Sequence, residues 1–365
     1  MVQMAGMLYQ SILRPLLFRM DPERSHELAV ESGKLLNKYP LLQKITSLFL
    51  QFEDERLKQN IWGIEFSNPI GLAAGFDKNA QLLHAAGALG FGFIEIGSIT
   101  AEANPGNKKP RMFRLYPDRS LINRMGLNND GAETILKRIK NQHPAIPLGI
   151  NIAKTNSPDK MGDEALRDYQ FSYKAAREAA DYITINISCP NTGKGKTFED
   201  PSALAELLSA LETRKEAGAV NPLVKLSVDL SESRMKKLVD ICEDNGIRGY
   251  VVANTSSSRS DLSTSPSKLA RIGSGGLSGK AIANRSTAMI RTLYQYLDGQ
   301  KPIIGVGGID SFEEALNKLT AGADLIQLYT GLVYEGPSLI KRINRGLVRY
   351  LEKEGLNSLR QLPRS

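Results

Sequence analysis

Three observations predict a (β/α)8 barrel with an N-terminal helical extension. Eight short, β-branched apolar runs follow one another from about residue 60. Each is apolar on both faces, as a buried parallel strand must be. A helical pattern follows each run, so β-α units repeat along the chain. A doubly wound open sheet would want Gly-x-Gly-x-x-Gly after its first strand, and none is there.

The runs are 69–74, 91–96, 147–152, 182–187, 223–228, 249–253, 302–306 and 324–328. The intervening patterns predict helices over 79–89, 130–141, 163–180, 201–217, 232–245, 279–297, 311–321 and 337–353. Two connections are long: 100–129, and the Ser- and Gly-rich 254–278. At the mouth of a barrel such loops are read as lids. Before the barrel, 9–20 and 23–38 carry amphipathic helical patterns with basic residues, and Asp21-Pro22 reads as an N-cap followed by proline at N1. Periodicity leaves two uses open for these helices, a cap packed on the barrel or a membrane-surface element. The expected organisation is an extension over 1–45 and a barrel over 46–365.

Composition bounds the function. The chain has 365 residues, 41% hydrophobic and 24% charged, enough for one large core. Its two cysteines, Cys189 and Cys242, have neither disulfide-framework nor zinc spacing. The net charge of +8 suits an anionic cofactor, substrate or membrane face. Basic residues are dispersed and no nucleic-acid motif occurs, so nucleic acid is not an expected partner. No apolar run approaches the ~18 residues of a membrane span. No secretory signal pattern opens the chain.

Barrel active sites lie at the C-terminal ends of the strands. Gly305-Val306-Gly307-Gly308 follows the seventh run and Tyr329-Thr330-Gly331 the eighth, where barrels bind phosphate through free backbone N–H groups. Asn151, Asn186 and Asn254 end three strands, with Asn123 and Asn191 in adjacent loops. Amides both donate and accept, so such a ring suits a heterocycle of alternating C=O and N–H groups, a pyrimidine or a flavin. Lys78 follows the first strand, and Lys225 lies inside the fifth. A lysine in an apolar strand is costly unless it faces a site. No cluster with metal-ligand spacing appears, so no metal is expected.

Six segments together resemble dihydroorotate dehydrogenase: 71–79 (GLAAGFDKN), 121–126 (LINRMG), 186–192 (NISCPNT), Asn254-Thr255, 275–279 (GGLSG) and 304–310 (IGVGGID). The resemblance runs in order over nearly the whole chain. Asp21-Pro22-Glu23-Arg24-Ser25-His26 is similar to the extension of the quinone-reducing, membrane-associated class 2 members, which selects the membrane use of the helices. The resemblance implies oxidation of dihydroorotate to orotate with FMN and a membrane quinone as acceptor, in de novo pyrimidine synthesis. A soluble acceptor such as fumarate is the alternative. FMN would be held by Ala74, Gly75, Ser98, Asn151, Asn186, Lys225, Ala253, Gly279, Gly308, Tyr329 and Thr330. Ala253 stands where relatives often carry threonine. Dihydroorotate would be held by Lys78, Asn123, Arg124, Met125, Gly126, Leu127, Asn186, Asn191, Asn254 and Thr255. Lys225 would offset charge gained on flavin reduction. Cys189 would be the base that takes the proton from ring carbon 5, although class 2 members usually carry serine there. His26, Arg114 and Tyr329 would line the quinone route. The expected location is peripheral, on the cytoplasmic face of the cell membrane.

Overall fold

The computed structural model describes residues 6, 8–140, 142–188, 197–214 and 220–364. The eight apolar runs form eight parallel strands: β1 (Ile70–Leu72), β2 (Phe93–Ile99), β3 (Leu148–Ile152), β4 (Tyr182–Asn186), β5 (Asn221–Ser227), β6 (Gly249–Asn254), β7 (Ile303–Val306) and β8 (Leu325–Leu328). Each pairs with the next, and β8 pairs with β1 through Ile326–Ile70 to Leu328–Leu72, closing the barrel. Closure leaves no free edge and buries both faces of every strand, hence the continuous apolar runs. Apolar side chains of the strands and outer helices form one large core, and Phe66, Phe93, Tyr182 and Leu223 belong to a smaller cluster with Val251 and Ile304.

The expected helices occur with shorter ends. The first runs only Leu83–Ala88, because the buried Asp77 carboxylate accepts from the amides of Asn79, Gln81 and Leu82 and holds that stretch as a turn. The helix expected over 279–297 begins at Ala283, since Gly276–Gly279 is a strand and Lys280–Ile282 a 3-10 turn.

That strand joins the two long connections. Met112–Leu115 and Ser120–Asn123 form an antiparallel hairpin, and Gly276–Gly279 pairs with its second strand, Gly276 opposite Asn123. Leu115, Ile122, Ile272, Leu277 and Ile282 seal the resulting sheet in their own cluster.

The extension comprises α1 (Arg14–Arg19), preceded by a π turn at Tyr9–Leu13, then α2 (Pro22–Lys38) and α3 (Pro40–Leu50). Asp21 caps α2 as expected, accepting from the Glu23 and Arg24 amides at 2.9 and 3.0 Å. Helix α3 was not foreseen, and it runs unbroken through residue 45. The extension is tied down at several points. Tyr9 donates to the Val333 carbonyl (2.7 Å) and Gln10 to Glu335 (2.7 Å), while within the extension Ser25 of α2 donates to the Leu17 carbonyl of α1 (2.8 Å). Among the described residues, no helix is long and apolar enough to cross a membrane.

Candidate active site

A cleft lies at the C-terminal ends of the strands, under the three-stranded sheet. It holds about 1160 Å³ of space, its open mouth included. Ala74, Gly75 and Lys78 line it after β1, Ser98 from β2, Asn186 from β4, and Lys225 from β5. Ala253, Asn254 and Thr255 close the β6 side, and Gly279, Gly308, Tyr329 and Thr330 the β7–β8 side. Asn123, Met125, Gly126 and Leu127 descend from the sheet. These expected residues, distant in sequence, thus meet in one place.

Two expected residues do not line the cleft. Asn151 is fully buried behind Ser98. The Arg124 guanidinium turns outward, donating to the Ser274 and Pro110 carbonyls (2.8 and 3.2 Å) over the Phe113 ring. The resemblance gives Arg124 only as part of the Asn123–Leu127 loop, and its guanidinium donors brace the sheet. Cys189 and Asn191 lie outside the described residues.

The glycine-rich end of the cleft fits a phosphate. Gly279, Gly307 and Gly308 have φ of 99°, 115° and 75°, which side chains rarely adopt. A Cβ at Gly308 would meet Ala283 Cβ at 2.4 Å, and one at Gly279 the Arg119 carbonyl at 2.7 Å. Backbone amides and the N-terminus of helix Ala283–Tyr296 therefore stand close to any anion placed there. Ser278 and Thr330 hydroxyls, 2.9 Å apart, add donors.

Beneath, the expected asparagines Asn151, Asn186 and Asn254 are tied together by Glu95 and Gln327, two residues that sequence reading missed. Glu95, in β2 and fully buried, accepts from Asn151 Nδ2 (2.9 Å), Tyr182 Oη (3.2 Å), Thr184 Oγ1 (3.2 Å) and Gln327 Nε2 (2.7 Å). With its amide nitrogen committed to Glu95, Asn151 offers its oxygen to the Ser98 hydroxyl. Ser98 Oγ in turn accepts from Asn186 Nδ2 (3.2 Å), and Asn186 Oδ1 from Asn254 Nδ2 (3.2 Å). The carboxylate therefore fixes which way three amides point. Burial and the adjoining Glu95 carboxylate push the Tyr182 hydroxyl well above its usual pKa. Gln327 also lines the cleft, and its Oε1 is buried with no donor among the described residues. That orphaned acceptor, among amides and beside a phosphate cradle, fits the donor edge of a flavin-like ring.

Glu95→Gln tests the network. A glutamine can keep the three contacts of Oε2 only by turning its NH2 toward Asn151, which must then flip away from Ser98. Unfolding stability is expected to fall by about 2 kcal/mol, read by denaturant titration.

A second cavity adjoins the first, bounded by α1 and α2. It holds about 1450 Å³ including its mouth and is almost wholly apolar, with Leu13, Leu17, Phe18, Ala29, Leu36 and Phe76 in its wall. Met112, Leu121 and Tyr329 line both cavities and form the partition. His26, Arg114 and Tyr329, the expected route residues, all line it. The His26 ring stacks on Tyr329 (centroids 6.3 Å, 13°) and meets Phe76 edge-on (4.8 Å). Burial, then the Lys78 charge, lower His26 to about 3, so its imidazole is neutral at physiological pH. Arg114 sits over the Phe18 ring at 4.7 Å and donates to the Met20 carbonyl. Its Nε is buried without an acceptor among the described residues.

The family model described as "Dihydroorotate dehydrogenase" matches residues 56–351. The chain belongs to the dihydroorotate dehydrogenase family. It is 42% identical over 355 residues to the dihydroorotate dehydrogenase (quinone) of Natronomonas pharaonis, covering 96% of this chain and 97% of that one. It is 39% identical to the protein of the same name from Christiangramia forsetii, covering 93% and 99%. The Eimeria tenella DHODH solved in complex with ferulenol superposes with a TM-score of 0.79 at 29% identity, covering 93% and 94% of the two chains. The matches extend well before residue 56, so the extension is shared with quinone-named relatives.

Proposed function

We propose that this chain oxidises (S)-dihydroorotate to orotate on FMN in the barrel mouth and passes the electrons to a membrane quinone, the redox step of pyrimidine synthesis. The observation that carries the acceptor assignment is the apolar cavity of the extension, which meets the polar cleft at Tyr329.

Bound FMN would supply the two-electron acceptor for the hydrogen leaving ring carbon 6. The glycines at 279, 307 and 308, with Ser278 and Thr330, would hold its phosphate. Ser98, Asn186, Lys225, Ala253 and Gln327 would face its ring, oriented from below by Asn151 and Glu95. Lys225 would offset the negative charge that the site gains. Lys78 would bind the substrate carboxylate, while Asn123, Asn186, Asn191, Asn254 and Thr255 read the ring amides. Cys189 is the proposed base for the carbon 5 proton. On the far side of Tyr329, neutral His26 and the unpaired Arg114 Nε would bond the quinone oxygens.

The extension also supports peripheral membrane contact. Among the described residues, twelve of the sixteen large apolar side chains left exposed lie between Leu8 and Phe49, with Leu41 at 70% and Leu48 at 73%. An apolar patch this concentrated suits an interfacial helix pair, on the cytoplasmic face of the cell membrane.

The test is an acceptor series under dihydroorotate: a soluble ubiquinone analogue, fumarate and NAD. Turnover is expected with quinone alone. Turnover with fumarate or NAD at a comparable rate contradicts the acceptor assignment.

A further inference from the structure

We infer that Glu23, on the extension, is a positioning residue for the dihydroorotate site: its ion pair with Arg111 fixes the Asn123–Leu127 loop, so the substrate half of the cleft is complete only with α2 docked. The inference rests on reading that loop as the substrate loop.

Glu23 lies in the first turn of α2 and is 5% exposed; Arg111 is 6% exposed. Arg111 Nε stands 3.1 and 3.2 Å from the two Glu23 oxygens, and Nη2 2.9 Å from Oε1. Such a forked, charge-assisted pair sets geometry as well as attraction. Lys109 adds a second cation at 3.3 Å and also pairs with Glu27. The other arm of Arg111 does different work. Its Nη1 donates to the Pro105 and Asn107 carbonyls at 2.7 and 2.9 Å.

Those carbonyls belong to a strip clamped onto the substrate loop. Asn107 N–H donates to the Met125 carbonyl (3.0 Å), Asn107 Nδ2 to the Arg124 carbonyl (2.9 Å), and Arg124 N–H to the Arg111 carbonyl (2.8 Å). Gly126 packs so closely on Asn107 that a Cβ would meet its side chain at 2.6 Å. Met125 and Gly126 line the cleft. One guanidinium thus joins a carboxylate of the extension to the backbone that shapes the substrate site. Three residues on from Glu23, on the same helix turn, His26 faces the other cavity.

Removing one partner leaves the other buried and uncompensated, so the strip must shift to rehydrate Arg111. Lys78 feels the same pair: Arg111 lowers its pKa, whereas Asp77 and Glu23 raise it, and nearby His26 is neutral.

The variant is Glu23→Gln in the flavin-loaded enzyme, with Gln10→Ala as control. Gln10 anchors the same extension to Glu335, away from Arg111. Anaerobic flavin bleaching by dihydroorotate, with no quinone present, reads the substrate half alone. Glu23→Gln is expected to raise the half-saturating dihydroorotate concentration about tenfold, and Gln10→Ala to leave it unchanged. The loss of affinity at alkaline pH is expected to begin at lower pH in Glu23→Gln, because Lys78 then loses the Glu23 charge that raised its pKa while burial and Arg111 still lower it. Amide exchange at Asn107 and Arg124 is expected to quicken in Glu23→Gln and not in Gln10→Ala. Should Glu23→Gln fail to fold, Arg111→Lys, which keeps a cation but loses the Nη1 arm, is expected to act alike on both readouts. Wild-type bleaching and wild-type exchange in these variants overturn the inference. If the wild-type flavin does not bleach, the substrate reading fails, and exchange at Asn107 and Arg124 alone decides the coupling.

Discussion

Lys78→Met is expected to weaken dihydroorotate binding by two to three orders of magnitude, roughly the loss of a buried charge-assisted contact together with an unpaired anion. Lys78 is the cation that β1 delivers to the cleft. Its loop is wrapped around the buried Asp77 carboxylate, which collects three backbone amides, and Lys78 Nζ donates to the Gly75 carbonyl at 2.6 Å. The ammonium therefore has little freedom to move away. Burial first, and then Arg111, pull its pKa down to about 8, while Asp77 and Glu23 partly offset them. The sign follows directly. An anion binds the protonated lysine, so affinity is flat on the acid side and falls about tenfold per unit once pH passes the pKa. Orotate titrations of the oxidised flavin spectrum between neutral and alkaline pH check this, and Lys78→Met is expected to abolish the slope.

Cys189→Ala is expected to slow flavin reduction about 10³-fold, within the range that a positioned base contributes. The assignment comes from the family motif around Asn186 and Pro190. A free thiol ionises near 8.5, far below a serine hydroxyl, so the rate with cysteine is expected to rise through a limb at lower pH than with Cys189→Ser. At sub-saturating dihydroorotate the falling Lys78 limb adds to this, so reduction there passes through a maximum on the alkaline side. Stopped-flow reduction of wild type and Cys189→Ser across pH checks it. Identical profiles remove Cys189 from the base position.

The barrel was legible in the sequence because closure buries every strand on both faces, leaving continuous apolar runs such as Leu148–Ile152 and Tyr182–Asn186. The glycine-rich end of the cleft was legible through Gly307 and Gly308, whose positive φ side chains rarely adopt. Lys225 was legible as a charge inside an apolar strand. The same argument applied to Glu95 and Gln327, polar residues in Phe93–Ile99 and Leu325–Leu328, and it would have exposed the network beneath the cleft. Other features carry no local signal. Arg124 is aimed outward by the carbonyls of Pro110 and Ser274, which come from distant segments. The sheet that joins the two long loops depends on Gly276–Asn123 pairing across some 150 residues, and periodicity cannot register such pairing. Helix α3 lacks a capping side chain, and its exposed Leu41 and Leu48 blur the polar face by which a surface helix is recognised.

The central claim is a flavin site reduced by dihydroorotate and emptied by quinone through the cavity of the extension. Its most direct test is an anaerobic absorbance spectrum of the purified protein, taken before and after dihydroorotate and again after a quinone. A flavin spectrum that bleaches with dihydroorotate and recovers with quinone is the expected result. A flavin that stays oxidised under dihydroorotate, or that stays bleached after quinone, contradicts it.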